Sequence, residues 1–298
     1  MKSNRLKDLI KTQNSKISFE EYRIRYATER FLLRLQDSEY KDNVVIKGGF
    51  LLGTIFKIEQ RTTKDLDTSL RDIEVDRKNI TEMLETISDI DLNDNVKFEL
   101  LKLVDSQQNH VYAGFRAKLK MNFSDENSNI CFDLDLGVGD KITPSAQITE
   151  IPLLFNEKNE KQETLAIYAY PLETTLAEKA EIVLDLGVKN SRMKDFYDIH
   201  LILNSPNETS SVKLYEAFEN TWNFRHKDKI IDEELFEDWF FIIDEISSSK
   251  EINGKYWKNY TLDREYTQSL EFSDIMHQFK EYLTELHNVY RKITQRKI

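Results

Sequence analysis

The sequence predicts an α+β protein in two parts: a small mixed sheet with helices over residues 1–166, then a mainly helical part over 167–298. Three observations carry this. Short β-branched or alternating runs recur between Val44 and Tyr168, punctuated by glycines and polar turns. From Pro171 onward helical spacing takes over, and there is no Gly between Gly187 and Gly254. Only eight Gly and four Pro in 298 residues leave a chain dominated by regular elements.

Each element has a local reason. Ser18-Phe19-Glu20-Glu21 fits a capping box, and Ile24, Ala27, Phe31 and Leu35 follow at helical spacing to about Gln36. Val44-Val45-Ile46 is a β-branched strand that stops at Lys47-Gly48-Gly49, after which Phe50-Leu51-Leu52-Gly53 resumes as an apolar helix. Arg61 to Leu70 reads as a strand with Asp65 and Asp67 on one face, and Asn79 to Ile90 as a helix. Phe98 to Val104, Val111 to Met121 and Ile130 to Val138 read as strands, with Ser124-Asp125-Glu126-Asn127 as a turn. Pro144 and Pro152 mark a loop-rich crossing before a last strand from Thr164 to Tyr168. In the second part Leu172, Leu176, Ala180 and Val183 form a stripe ended by Gly187, Met193, Phe196 and His200 give another helix, and a third runs from Ser273 to Ile293.

Composition excludes several classes. Hydrophobic content of 40% supports a real core, so disorder is not a sensible reading. The formal charge of −11 argues against nonspecific coating of nucleic acid, which depends on phosphate neutralisation, but leaves room for a local basic groove. The single cysteine, Cys131, lies in the apolar run Ile130 to Phe132 and reads as a buried packing residue in a reducing compartment. No stretch approaches the ~20 apolar residues of a membrane span, and the charged start lacks a signal segment, so a cytoplasmic location is expected.

The chemistry concentrates in two Asp-x-Asp elements, Asp65-Leu66-Asp67 and Asp133-Leu134-Asp135. Strand side chains two apart share a face, so each element presents two carboxylates together. Crowded carboxylates resist joint ionisation unless a cation sits among them, and Mg²⁺ is the hard cation that brings phosphates with it. Gly48 and Gly49 after a strand would let backbone N–H groups approach phosphate oxygens. The pattern points to metal-dependent phosphoryl or nucleotidyl transfer, with Asp133 or Asp135 as the third carboxylate. Lys179 and the row Arg192, Asp195 and Asp198 lie on predicted helices. Trp222 to Lys227 and Lys255 to Lys258 interleave aromatic and basic residues, which suits stacking on unpaired bases or, equally, core aromatics beside solvated lysines.

Lys47-Gly48-Gly49 followed by Arg61-Thr62-Thr63-Lys64-Asp65-Leu66-Asp67 resembles the first motif of the DNA polymerase β-like nucleotidyltransferases, and more narrowly of the AbiEii/AbiGii toxins of bacterial abortive-infection systems. Asp135-Leu136-Gly137-Val138-Gly139-Asp140 is similar to that family's second motif and favours Asp135 as third ligand. Leu176-Ala177-Glu178-Lys179 and Arg192-Met193-Lys194-Asp195-Phe196-Tyr197-Asp198 are similar to its third and fourth. The usual Gly-Ser is Gly48-Gly49 here, so no serine hydroxyl reaches phosphate at that point.

The resemblance implies a polymerase β-like lobe with a helical lobe completing an active-site cleft. It implies Mg²⁺ on Asp65, Asp67 and Asp135, with Lys179 and Asp195 also catalytic. Lys47, Gly48, Gly49, Thr63, Lys179 and Arg192 would bind the nucleoside triphosphate, GTP among the candidates. The implied acceptor is RNA, such as a tRNA 3′ end; the implied outcome is growth arrest in phage defence, and the implied partner is a cognate antitoxin encoded nearby. A nucleotidyltransferase acting on a small molecule or a protein, and a non-catalytic nucleotide-binding protein, are the alternatives.

Overall fold

A computed structural model describes residues 1–13, 17–58, 65–106, 114–155, 163–206, 209–227, 229–262 and 264–296. The chain divides into two compact units, Met1–Asp140 with Ala146–Tyr170, and Lys141–Ser145 with Pro171–Ile298.

The first unit runs α1 (Ser3–Thr12), α2 (Phe19–Asp37), β1 (Val44–Ile46), α3 (Gly48–Ile55), β2 (Asp65–Leu70), α4 (Arg77–Asp89), β3 (Val96–Asp105), β4 (Gly114–Phe123), β5 (Asn129–Val138), β6 (Gln147–Pro152) and β7 (Thr164–Ala169). Among the described residues the seven strands form one mixed sheet, ordered β3-β4-β5-β2-β1-β7-β6. β2 and β5 are parallel, as are β1 and β7; the other pairs are antiparallel. The capping box forms as the sequence predicts: Glu21 N–H donates to the Ser18 hydroxyl, and Ser18 N–H donates to the Glu21 carboxylate. Such a cap is worth about 1 kcal/mol to the helix it starts.

Strict alternation sorts the sheet's two faces. On β4, Phe115, Ala117, Leu119, Met121 and Phe123 are buried, while Arg116 and Lys118 between them are exposed. On β5, Ile130, Phe132, Leu134 and Leu136 point into the same core, where α2 packs on β5 and α4 on β3. Phe31 meets Phe98 and Phe132 edge to face there. The opposite face is left for polar side chains, and it carries the candidate site.

Two expectations are corrected. The stretch around Pro152 is not merely loop: Gln147–Pro152 is a strand at the sheet's edge, a position where proline's missing N–H leaves no ladder bond unmade. Cys131 is half-buried rather than a core residue, because the two-residue period places it on the polar face opposite Lys120.

The second unit contains α5 (Leu172–Leu186), α6 (Met193–Leu203), α7 (Ser211–Arg225), α8 (Glu233–Ser248), α9 (Lys258–Leu262) and α10 (Phe272–Gln295). Gly187 ends α5 with φ of 51°, where a side chain is disfavoured. Its core joins Phe218, Trp222, Phe236 and Trp239 with Ile275, Phe279 and Leu286 of α10. No helix among the described residues is long and apolar enough to cross a membrane.

Candidate active site

In the first unit the site grows from the turn after β1. Val44, Val45 and Ile46 are all buried, so the strand runs straight through the core and delivers Lys47 at its end. Lys47 N–H donates to the Asp67 carbonyl at 2.9 Å, which ties the turn to β2. Gly48 then adopts φ of +70°, a conformation that glycine takes without strain. A Cβ at this position would lie 2.0 Å from Asp67 Oδ2. Gly48 is therefore demanded twice, by its backbone and by the carboxylate resting against it.

Asp65 and Asp67 face the same side of β2, and the parallel register sets Asp65 beside Asp133 and Asp67 beside Asp135. Neighbouring strands lie about 4.8 Å apart, so four carboxylates from two strands share one small area of the sheet's polar face. Thr68, pointing to the other side, donates its hydroxyl to the Asp135 carbonyl at 2.8 Å and locks the two strands together.

Arg116 on β4 lies opposite Asp135 and binds it through two donors, Nε to Oδ1 at 2.5 Å and Nη2 to Oδ2 at 2.6 Å. Hydrogen bonding to Asp135 and the charges of Asp135, Asp65 and Asp133 hold the guanidinium's pKa above its ordinary value. Arg116 was not a predicted site residue. The alternation on β4 marks it as solvent-facing, but only the strand register places it among the aspartates.

A second cluster supports the turn. Asp140 accepts hydrogen bonds from Lys47 Nζ at 2.6 Å and from the Tyr170 hydroxyl at 2.8 Å. Burial opposes the charge on Asp140, yet the Lys47 ammonium, with Tyr170 and Ser69 donating, holds its carboxyl below the usual range. Lys47, expected on the nucleotide, is thus bound to Asp140, and Asp140 of the second motif secures the turn that carries Gly48. Thr63 lies outside the described residues.

The carboxylates fit a hard divalent ion by their chemistry: oxygen donors only, on one face, with a glycine cradle under Asp67. No group of three or more His, Cys, Asp or Glu side chains among the described residues is drawn together tightly enough to hold a metal ion as it stands. Arg116 occupies both oxygens of Asp135 instead.

In the second unit, Lys179 of α5 reaches Asp195 Oδ1 at 2.5 Å and Asp198 Oδ2 at 3.1 Å, and both aspartates are fully buried. Arg192, just ahead of α6, donates from Nε to Asp195 Oδ2 at 2.7 Å. Burial pushes the Asp195 carboxyl up, but the Lys179 and Arg192 charges outweigh it and hold it below its ordinary value. The three-residue spacing brings Asp195 and Asp198 to one cation, as the helix period predicts. Trp222 is buried and stacked on His226 at 4.0 Å, while Arg225 and His226 bind Glu181. Trp257 is buried as well. The core explanation therefore holds for these two tryptophans, neither of which is available to stack on a base.

A family model described as nucleotidyl transferase AbiEii toxin, type IV toxin–antitoxin system, matches residues 30–282. Among solved structures, the chain resembles a Helicobacter pylori protein assigned as a nucleotidyltransferase, at 12% identity and a TM-score of 0.50, over 93% of this chain and 99% of that one. JHP933 from Helicobacter pylori matches at 12% identity and a TM-score of 0.47, over 94% of this chain and 97% of that one. An antigenic nucleotidyltransferase-like protein from Paracoccidioides brasiliensis matches at 16% identity and a TM-score of 0.37, over 70% of this chain and 96% of that one. No match was found among curated proteins. The match at a TM-score of 0.50 speaks for the fold alone, whereas the family model spans most of the chain. The chain is a nucleotidyltransferase and belongs to the AbiEii toxin family of type IV toxin–antitoxin systems.

Proposed function

We propose that this chain transfers a nucleoside monophosphate from a nucleoside triphosphate to a hydroxyl group of RNA, a tRNA 3′ end being the acceptor that the family resemblance suggests. One arrangement supports the reading above all others: Asp67 and Asp135 side by side on parallel strands, with Gly48 leaving room for the Asp67 carboxylate. Asp65, Asp67 and Asp135 would hold Mg²⁺, with Asp133 the alternative to Asp135. When bound, the ion supplies the positive charge that steadies a triphosphate's developing negative charge.

The chain's own residues do the positioning. Backbone N–H groups at the start of α3, which lack partners inside the helix, suit phosphate oxygens beside Gly48 and Gly49. Asp140 and Tyr170 keep Lys47, and with it this turn, in place. Lys179, Asp195 and Arg192 carry over from the resemblance as the second unit's candidate residues, with Asp195 buried against Lys179 and Arg192. Growth arrest in phage defence, checked by an antitoxin encoded nearby, is the biological setting that this reading gives the enzyme.

The test is direct. Purified chain is incubated with each α-labelled triphosphate, Mg²⁺ and total cellular RNA, and the label is followed. Label on a small RNA band supports the proposal. Label on protein or a small metabolite, or on nothing, overturns it.

A further inference from the structure

The polar face of the sheet does not end at the carboxylates. On β4, Arg116, Lys118 and Lys120 point to the same side as Asp133 and Asp135, and the β3 register adds Lys102 opposite Lys118 and Lys97 opposite Asn122. A bulge at Leu101 makes this possible, because it returns Lys102 to the polar face after Glu99. Five cations thus lie in a strip beside the aspartates of a chain whose net charge is −11. At about 3.4 Å per residue the strip runs ~20 Å from Arg116 to the level of Lys97.

Folding alone does not account for it. Lys102 and Lys118 are direct cross-strand neighbours, a placement of like charges that lowers stability. Glu99 pairs with Lys120 at 3.0 Å, whereas Lys97, Lys102 and Lys118 have no ion-pair partner among the described residues. Lys102 and Lys118 are an exposed pair of like charges, with Asp133 opposite Lys118 and with Lys97 exposed beyond the Glu99–Lys120 pair; a polyanion would neutralise this array, which is longer than the three phosphates of one nucleotide. No aromatic side chain lies among these strip residues, so the contacts it offers are to phosphates and not to stacked bases.

We propose that the polar face of β3 and β4 binds the phosphate backbone of the acceptor RNA, leading its reactive hydroxyl toward Asp65, Asp67, Asp133 and Asp135. This rests on the RNA-acceptor reading above. Lys102 and Lys118 make the central contacts, and binding along the strip is salt-dependent and indifferent to sequence.

The test measures binding of fluorescein-labelled total tRNA by anisotropy over a salt series, for the full chain and for a Lys102→Gln, Lys118→Gln double variant. Removing two repelling charges leaves the fold intact, checked by thermal melting. The variant should bind roughly tenfold more weakly at low salt, with a log affinity against log salt slope shallower by about 1.5. In the transfer assay its KM for RNA should rise while its KM for triphosphate stays constant. Unchanged affinity and slope overturn the proposal, and so does a rise in triphosphate KM alone, which would give the strip to the nucleotide. If the wild-type chain binds tRNA through these lysines yet labels no RNA, the acceptor reading fails and the binding surface stands. If RNA is labelled and the variant binds like wild type, the surface fails and the reading stands.

Discussion

Arg116 takes both carboxylate oxygens of Asp135, at 2.5 and 2.6 Å, from the neighbouring strand. A divalent ion held by Asp135 would have to share its carboxylate oxygens with that guanidinium or take its place. The Arg116 guanidinium offsets the charge of Asp135, and Asp65 and Asp133 are also near enough to act on it.

Substituting Arg116→Gln should therefore tighten divalent binding. Removing one positive charge from beside a dication removes repulsion. The expected gain in Mn²⁺ affinity is about tenfold, equivalent to about 1.4 kcal/mol. Isothermal titration with Mn²⁺ in the absence of nucleotide measures it. Equal or weaker affinity in the variant would mean that Arg116 orients Asp135 for the ion and does not compete with it.

Gly48→Ala tests the cradle. Left-handed backbone costs a residue with a Cβ about 1–2 kcal/mol, and the new methyl group would collide with Asp67 Oδ2. Stability should fall by about 1–3 kcal/mol in urea melts, with Mn²⁺ binding and nucleotidyl transfer lost. A variant with wild-type melting and wild-type Mn²⁺ affinity would show that Asp67 does not need this turn.

Much of this site was legible in the sequence, and the limits have physical causes. The two-residue spacing of Asp65 and Asp67 puts both on one strand face, and the structure places them so. Gly48 stood out because a glycine after a β-branched run signals a turn that no other residue makes as easily. Arg116, Lys118 and Lys102 were illegible as a group, since no local pattern says which strands become neighbours or in what register. The strand Gln147–Pro152 was hidden by its proline, which local propensity penalises and an edge position tolerates. Trp222 misled for a related reason: an aromatic beside basic residues looks like a stacking platform until tertiary packing buries it.

Asp67→Ala should abolish transfer and growth arrest while changing stability by no more than about 1 kcal/mol, because it removes one of several mutually repelling carboxylates. Expression should match wild type on immunoblots, and the melting curve should overlay. Growth arrest at equal expression would end the catalytic role of this residue.

Lys179→Met addresses the second unit. Lys179 sits between Asp195 and Asp198, both fully buried, so its removal leaves buried carboxylates short of a counter-charge. Breaking a buried pair from one side costs about 3–5 kcal/mol. Urea melts should show that loss, and adding Asp198→Asn to the variant should recover part of it. A loss below 1 kcal/mol would mark the ion pair as dispensable to the fold. A raised triphosphate KM in the rescued double variant would then report the nucleotide contact separately from stability, and unchanged kinetics would remove Lys179 from the site.

The same pair sets a pH dependence. Asp195 has a folded pKa below its unfolded value, because the Lys179 and Arg192 charges outweigh the effect of burial. A depressed carboxyl pKa contributes stability that is present above the unfolded value of about 3.9 and is lost as pH falls through the folded value. Without Lys179 the folded pKa of Asp195 rises, and that contribution shrinks or reverses. The stability gap between wild type and Lys179→Met should therefore be widest near neutrality and close as pH drops below about 4. Urea melts of both proteins from about pH 7 down to pH 3 follow the gap, and taking their difference cancels the carboxylates that Lys179 does not pair with. A gap that stays constant across the series would mean that Lys179 stabilises the unit by packing and not by its charge on Asp195.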